Sequence, residues 1–387
     1  MSKKKIDAKV TMLEHSKAKV DLYKTYLATY LNILSRVKYI DRIHLYDLMC
    51  GEGIYLDGKK GSPVVAMEKI KDHYFANNQS CPNMTVWFND KDKSQIESDK
   101  FKIDRVKEHC VKIFKPDNVE VIYSRDNYVD LYPKVVSKIG GLGNEKLLLF
   151  IDPYGYKEVQ PSHLKEFLKK GKSEAILFLP ISQMYRFVKK SLSEEEFLAG
   201  EPLKKFMTPL LDLGISFNTT STIKFIDALK KAFRLYLKKE KIFVDTFTIE
   251  RSKQNTYCLF FFTPNMLGFE KMLEAKWKLD EQSGRGFKLN QLQTSMFEEA
   301  EINDYENELE THIRKSERTN GDLHLFGLEN GFLPKHTNKI LRKLQNNNTH
   351  FKVVDLEGNA ARKGSFYIPY ENHSKEPMRI VKFKIEK

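Results

Sequence analysis

The sequence predicts an α/β fold, a mostly parallel, doubly wound sheet followed by a smaller basic domain. Three observations predict it. Short apolar runs alternate with stretches of helical periodicity over most of the chain, the pattern of parallel strands joined by right-handed helical crossovers. The first run closes on Asp47-Leu48-Met49-Cys50-Gly51-Glu52-Gly53, where glycines let the backbone approach a nucleotide-like ligand that a β-carbon would strike. A later run closes on Asp152-Pro153-Tyr154-Gly155. That places an acid at the carboxyl edge of the sheet, where doubly wound folds bind ligands.

Val20, Tyr23, Leu27, Tyr30, Leu31 and Leu34 recur at helical spacing, predicting an N-terminal helix that packs on the main domain. Arg42–Met49 reads as the first strand, and Ser62-Pro63 as the opening of a helix, with serine at the N-cap and proline at the first helical position. Thr85–Asn89 is the next strand, with a helix from Lys93 to about Lys112. Val119–Ser124 is followed by a helix near Val129–Ile139, and Leu147–Ile151 by one near Ser162–Lys169. Glu174–Leu179 is a fifth strand. A long helix covers Ile223–Lys239, and Phe243–Ile249 with Tyr257–Thr263 lie close enough to pair as a hairpin, which puts an antiparallel strand at one end. Seven strands in this pattern describe a Rossmann-like sheet of the kind found in S-adenosylmethionine (SAM)-dependent methyltransferases.

The C-terminal region reads differently. An acidic stretch from Glu298 to Glu310 gives way to residues 311–387, where 15 lysines and arginines face 8 acids, a net +7 out of +13 for the whole chain. This switch marks a boundary. Phe332-Leu333-Pro334 precedes a basic amphipathic segment from Lys335 to Leu344, and Phe351–Val354, a turn near Gly358 and Gly364–Ile368 follow as a hairpin. Helix, helix, hairpin is the order of a winged helix, whose second helix enters a groove of nucleic acid while the hairpin touches phosphates. The candidate contacts are Lys335, His336, Asn338, Lys339, Arg342, Lys343, Arg362 and Lys363, with Arg186, after the fifth strand, as a further phosphate contact. The competing reading is a protein-docking or dimerisation domain with a solvated basic face. The expected domains are an N-terminal helical extension (1–40), a Rossmann-like methyltransferase domain (41–290) and a winged-helix-like domain (311–387).

Composition narrows the class. The chain has 387 residues, 41% hydrophobic and 30% charged, as a water-soluble globular protein does. No apolar run reaches the roughly 20 residues of a membrane span, and Met1–Lys5 has no apolar stretch after it, so a cytoplasmic protein without a secretory signal is expected. Lys3–Lys5 reads as a solvated tail. The four cysteines lie far apart without a CxxC, and the ten histidines lack ligand spacing, so no metal is expected. The +13 charge points to a polyanionic partner.

The strand ends carry the chemistry. Asp47, Gly51 and Gly53 suit a loop around the methionine and ribose of SAM. Asp90, after the second strand, suits the ribose hydroxyls, and Asp126, after the third, suits the adenine amino group. Asp152, after the fourth strand, faces the substrate. NAD uses similar glycines, but this loop has no full GxGxxG. Hydrogen bonds from an exocyclic amine to Asp152 and the Pro153 carbonyl would turn its lone pair toward a methyl donor, and Tyr154 or Tyr156 would stack on a base drawn out of its helix. Otherwise Asp152 only caps a loop. Cys50 has no base placed to activate it as a nucleophile.

Several of these stretches together, Lys19 to Leu27, Asp47 to Tyr55, Gly58, Gly61-Ser62-Pro63, Asp90-Lys91-Asp92 and Asp152 to Tyr156, resemble the three-Cys-motif partner (TcmP) proteins over roughly residues 10–270. Members of that family usually carry Phe-Ala at Met49-Cys50, Pro at Glu52 and Phe at Tyr154. The resemblance implies a Rossmann-like methyltransferase fold and a partner with three cysteines, similar to radical-SAM iron–sulfur proteins. The Asp-Pro-aromatic-Gly segment is also similar to that of tRNA guanine-N2 dimethyltransferases. Glu52 departs from the pattern by placing an acid near the expected methionine carboxylate. Two functions are therefore expected. One is a SAM-dependent methyltransferase acting on an exocyclic amine of a nucleic-acid base, DNA or RNA. The other is a non-catalytic or cofactor-sensing, nucleic-acid-binding subunit of a three-Cys partner in DNA repair, modification or defence, which Glu52 favours.

Overall fold

The computed structural model describes residues 11–153, 158–193, 201–217, 219–252, 255–281, 284–288 and 295–386. Tyr154, Gly155, Tyr156 and Lys3–Lys5 lie outside the described residues. The chain divides into two units, Met1–Gly268 with Gly286–Leu289, and Phe269–Arg285 with Asn290–Lys387.

In the first unit, α1 (Glu14–Leu34) precedes β1 (Arg42–Asp47), α2 (Ser62–Ala76), β2 (Met84–Asn89), α3 (Lys102–Cys110), β3 (Val119–Ser124), α4 (Tyr128–Gly140), β4 (Glu145–Ile151), α5 (Pro161–Leu168) and β5 (Ser173–Leu179). Then come α6 (Ile181–Ser193), α7 (Glu201–Leu211), α8 (Thr222–Tyr236), β6 (Phe243–Ser252), β7 (Asn255–Thr263), the first residues of α9 (Met266–Leu279) and β8 (Gly286–Lys288). The strands form one sheet in the order β3-β2-β1-β4-β5-β7-β6-β8, with β7 antiparallel to both its neighbours and every other pairing parallel. This is the Rossmann-like α/β arrangement expected, with β8 as an eighth, short edge strand that its three residues did not announce. The hairpin does not simply close the sheet. β7 inserts between β5 and β6.

The central strands β4 and β5 carry near-continuous apolar runs, Leu147–Ile151 and Ala175–Leu179, rather than an alternation, because helices cover both faces. β2 and β5 are buried along their whole length. One layer joins Leu131, Val135, Leu149, Leu164, Leu177, Phe206, Phe233 and Phe260 in a continuous core. Toward the other face α1 packs on α2, α2 on α3, and α1 reaches β6, burying Leu22, Leu27 and Ile70. α6 and α7 were not read from the sequence.

Two local expectations change. α3 starts at Lys102, not Lys93. The Ser94 hydroxyl accepts from the Ile96 and Glu97 N–H groups, and such a serine offers the backbone an alternative to helix. α2 is capped by Gly61, and Ser62 is its first helical residue. The serine hydroxyl donates instead to Asp47 Oδ2 at 2.6 Å.

At the amino end of β5, Glu174 is buried, with the Tyr26 hydroxyl and Thr263 Oγ1 donating to it. Burial raises its pKa to about 7. A raised acid pKa means the folded state holds a proton that the unfolded chain releases. This stability is complete below the unfolded value of about 4.3 and is lost as pH rises through about 7. Glu174→Gln is therefore expected to remove a component on the order of 3 kcal/mol from the loss of unfolding free energy between about pH 5 and pH 8. Urea unfolding across that range checks it, and parallel profiles for the two proteins would contradict it.

The second unit contains the remainder of α9, α10 (Ser295–Lys315), β9 (Arg318–Thr319), α11 (Asn320–Glu329), α12 (Pro334–Asn347), β10 (Phe351–Val354), α13 (Tyr370–Ser374) and β11 (Lys382–Ile385). Its three strands are antiparallel in the order β10-β11-β9. The partner of β10 is thus Lys382–Ile385, not Gly364–Ile368. Gly364 and Tyr367 adopt positive φ (80° and 50°), which breaks an extended run. Phe383 and Ile385 alternate inward with Lys382 and Lys384, the two-residue period of a half-buried strand.

Candidate active site

The strand order reverses between β1 and β4, whose chain neighbours lie on opposite sides. The crevice at the carboxyl ends of such strands is where doubly wound folds take ligands. A cavity of about 480 Å³ opens there, within the range of small-molecule sites. Its walls come from α1 (Ser16, Lys19, Val20), the loop after β1 (Met49 to Glu52, Tyr55), the start of α2, the segment after β2 (Asp92, Gln95, Lys102), Asp152 and Pro153 after β4, and Phe178, Pro180 and Tyr257.

The loop after β1 is shaped by its glycines. Gly51 and Gly53 have φ of 72° and 75°, values that glycine adopts without strain. A β-carbon on Gly53 would stand 3.1 Å from Val106 Cγ2, whereas one on Gly51 would meet nothing within 4 Å. Gly53 therefore serves close packing on α3, and Gly51 faces the cavity. The Gly51 N–H donates to Asp90 Oδ2 at 2.9 Å. The buried amide of Asn89 ties three strand ends together. It donates to the Leu48 and Asp126 carbonyls and accepts from Ser124 Oγ and the Asp126 N–H.

Of the residues singled out in the sequence, Gly51, Asp152 and Pro153 line the cavity. Asp47 is buried and reaches it through Ser62. Asp90 is buried behind the loop, accepting also from the Asp92 N–H, and Gly53 and Asp126 are not among the described lining residues. Asp126 pairs with Lys134 at 2.9 Å. Tyr154 falls outside the described residues. Arg186 is exposed on α6, and Lys335, Lys339, Arg342 and Lys343 are exposed on α12, with Arg362 and Lys363 exposed between β10 and β11. Lys343 pairs with Glu306 at 2.6 Å.

The site's electrostatics rest on residues the sequence reading did not select. Lys19 is buried and pairs with Asp152, its ammonium 4.7 Å from the centre of the Phe178 ring. Burial by itself lowers its pKa, but Asp152, Tyr55 and Asp47 outweigh that and hold it above its ordinary value. Phe178 stacks on Tyr257 at 5.3 Å, an aromatic wall. Lys102 lies 3.1 Å from Asp92 and 3.8 Å from Asp90. Burial raises Asp47 to about 7, the charge of Asp152 adding to the rise and the Ser62 hydrogen bond opposing it. The other oxygen, Asp47 Oδ1, is buried with no hydrogen-bond partner among the described residues. Burial holds the Cys50 thiol well above its ordinary pKa, so it is protonated and inert.

Glu52 does not stand as a free acid in the loop. It is buried against Arg105, with Nη1 2.6 Å from Oε2, and accepts from Ser94 Oγ and the Gln95 N–H. Among the described residues no group of three or more His, Cys, Asp or Glu side chains could hold a metal ion, and no helix is long and apolar enough to cross a membrane.

The strand order and its reversal define the fold class, a Rossmann-like, doubly wound α/β sheet. No protein-family model matches the sequence, and no curated protein matches it. Among solved structures, Trm1 from Pyrococcus horikoshii in complex with S-adenosyl-L-methionine is similar, at 11% identity over 70% of this chain and 61% of that one, with a TM-score of 0.33. An O-methyltransferase from Bacillus cereus in complex with SAH is similar at 10% identity over 67% of this chain and 92% of that one, with a TM-score of 0.28. A loganic acid methyltransferase with SAH is similar at 10% identity over 97% and 98% of the two chains, with a TM-score of 0.27.

Proposed function

We propose that this protein is a SAM-dependent methyltransferase acting on an exocyclic amine of a nucleic-acid base. The observation that carries the reading is the cavity at the reversal of strand order, with Gly51 on one wall and Asp152-Pro153 on another. The residues present fit the cofactor. Gly51 leaves open space for backbone approach, Asp92 offers a carboxylate to ribose hydroxyls, Phe178 and Tyr257 offer an aromatic wall, and Asp47 keeps one buried oxygen with no hydrogen-bond partner among the described residues. Bound SAM supplies an electrophilic methyl on sulfonium. Asp152 and the Pro153 carbonyl then hold the two amine hydrogens, aim the nitrogen lone pair, and leave Asp152 to take the proton released.

In the second unit a helix, a short strand, two helices and β10 are followed by the short α13 and then β11; we read this as a winged-helix-like domain with α12 as its groove helix and Arg362 and Lys363 in the wing. The exposed cations of α12 support a nucleic-acid substrate. The alternative, a nucleic-acid-binding subunit of a three-Cys iron–sulfur partner in the manner of the TcmP proteins, loses the support of Glu52, whose charge Arg105 neutralises. It gains some from the engagement of Asp152 by Lys19.

Calorimetric titration of the full-length protein with SAM and S-adenosylhomocysteine (SAH) tests the reading. Micromolar binding is expected, weakened about tenfold in Asp92→Asn by loss of a carboxylate–hydroxyl hydrogen bond. No binding at millimolar ligand would reject it. Labelled-methyl transfer to tRNA, rRNA and DNA then separates the enzyme from the binding subunit.

A further inference from the structure

Lys19 is the unexplained group in this cavity. Ser16, Lys19 and Val20 come from one face of α1, spaced three and four apart as neighbours on a helix are. Among the described residues two cations line the cavity, and Lys102 is committed to Asp92 and Asp90. Of the lining acids, Glu52 is matched by Arg105. Lys19 is left with Asp152 as its acidic partner among the described residues, and Asp152 is the acceptor that the amine chemistry requires. While the pair is closed, the acceptor is occupied. Opening it unaided strands the buried Lys19 ammonium beside a half-buried carboxylate, which is unfavourable.

An incoming carboxylate removes that penalty. The amino-acid end of SAM carries one, and the positive end of α2, at Gly61 and Ser62, lines the same cavity and favours an anion there. We propose that Lys19 is a positioning residue that exchanges Asp152 for the carboxylate of the bound cofactor, so that cofactor binding unmasks the substrate acceptor. The inference rests on the function proposed above and adds to it a residue and an order of binding, cofactor before substrate. No covalent bond changes in the exchange. One ion pair replaces another.

Calorimetry with SAH and 5′-methylthioadenosine tests it on the full chain. The second ligand lacks the amino-acid end, and neither ligand carries the sulfonium charge, so attraction between sulfonium and Asp152 does not enter. Lys19→Met is expected to weaken SAH about tenfold or more, the scale of a charge-assisted hydrogen bond, while 5′-methylthioadenosine affinity stays within about twofold. Lys19→Arg is expected to restore SAH binding. Asp152→Asn, which removes the competing anion, is expected to tighten SAH several-fold in the wild-type background and to have no effect alongside Lys19→Met. Retained 5′-methylthioadenosine binding shows that the variants are folded. Equal weakening of both ligands by Lys19→Met, or weaker SAH binding in Asp152→Asn, overturns the proposal while leaving the methyltransferase reading in place. A wild-type protein that binds neither ligand overturns both.

Discussion

Replacing Asp152 with alanine is expected to reduce methyl transfer by on the order of 100- to 1000-fold or more, the effect of removing one preorganised electrostatic partner of the reacting group, without loss of SAM or SAH binding. The reason is position. Asp152 leaves the carboxyl end of β4 directly after Ile151 and forms the cavity wall together with Pro153. The loop after β1 and the segment after β2, where cofactor contacts are expected, belong to other elements. Removing an interaction that aims the amine lowers turnover without weakening ground-state binding of the cofactor, which the loss of the competing anion at Lys19 tightens. Because alanine also strands the buried ammonium of Lys19, Asp152→Asn serves as the companion variant. It keeps the volume and one acceptor oxygen. Both variants are read by labelled-methyl transfer beside SAH calorimetry. Joint loss of transfer and binding in both would show that Asp152 holds the cofactor, and unchanged transfer would remove it from the chemistry.

Much of the architecture was legible because strands such as β1, β2 and β4 are short, largely apolar runs that stop at or just before an acid. Leu147 to Ile151 followed by Asp152 is an example, and β4 indeed ends at Ile151. Elements without such contrast were missed. α6 and α7 follow one another with no strand between them, and β8 is only three residues long. β11 was legible in the alternation of Val381, Phe383 and Ile385 with lysines, but the nearer run Gly364–Ile368 competed with it. The site was half legible. Gly51, Asp152 and Pro153 sit in local motifs. Lys19 does not announce itself, since its partner is 133 residues away. Asp90 and Asp92 stand two apart in the same short segment, and only the turn that buries the first and turns the second to the cavity distinguishes them.

Glu52 illustrates the same limit with the larger energy. Read alone, it is an acid in a loop expected to meet a carboxylate. In the fold it meets Arg105, 53 residues on. Arg105 is buried on α3 and clamps the loop, donating to the Glu52 side chain, to the Ile54 carbonyl at 3.2 Å and to Glu97 at 2.8 Å. The loop that carries Gly51 is thereby fixed to the helix on which Gly53 packs. Arg105→Met leaves the Glu52 carboxylate buried with only the Ser94 and Gln95 donors among those described, and breaking one side of a buried pair costs about 3–5 kcal/mol. The double replacement Glu52→Met with Arg105→Met removes both charges and is expected to recover most of that loss, since apolar side chains of similar volume replace such pairs at little net cost. Trp87 lies in the first unit and Trp277 in the second. Urea unfolding followed by fluorescence in a Trp277→Phe background therefore reports on the first unit alone. A strongly destabilised single variant and a largely restored double variant are the expected result. Additive losses in the double variant would mean that the two side chains act independently and that the loop is held by its backbone.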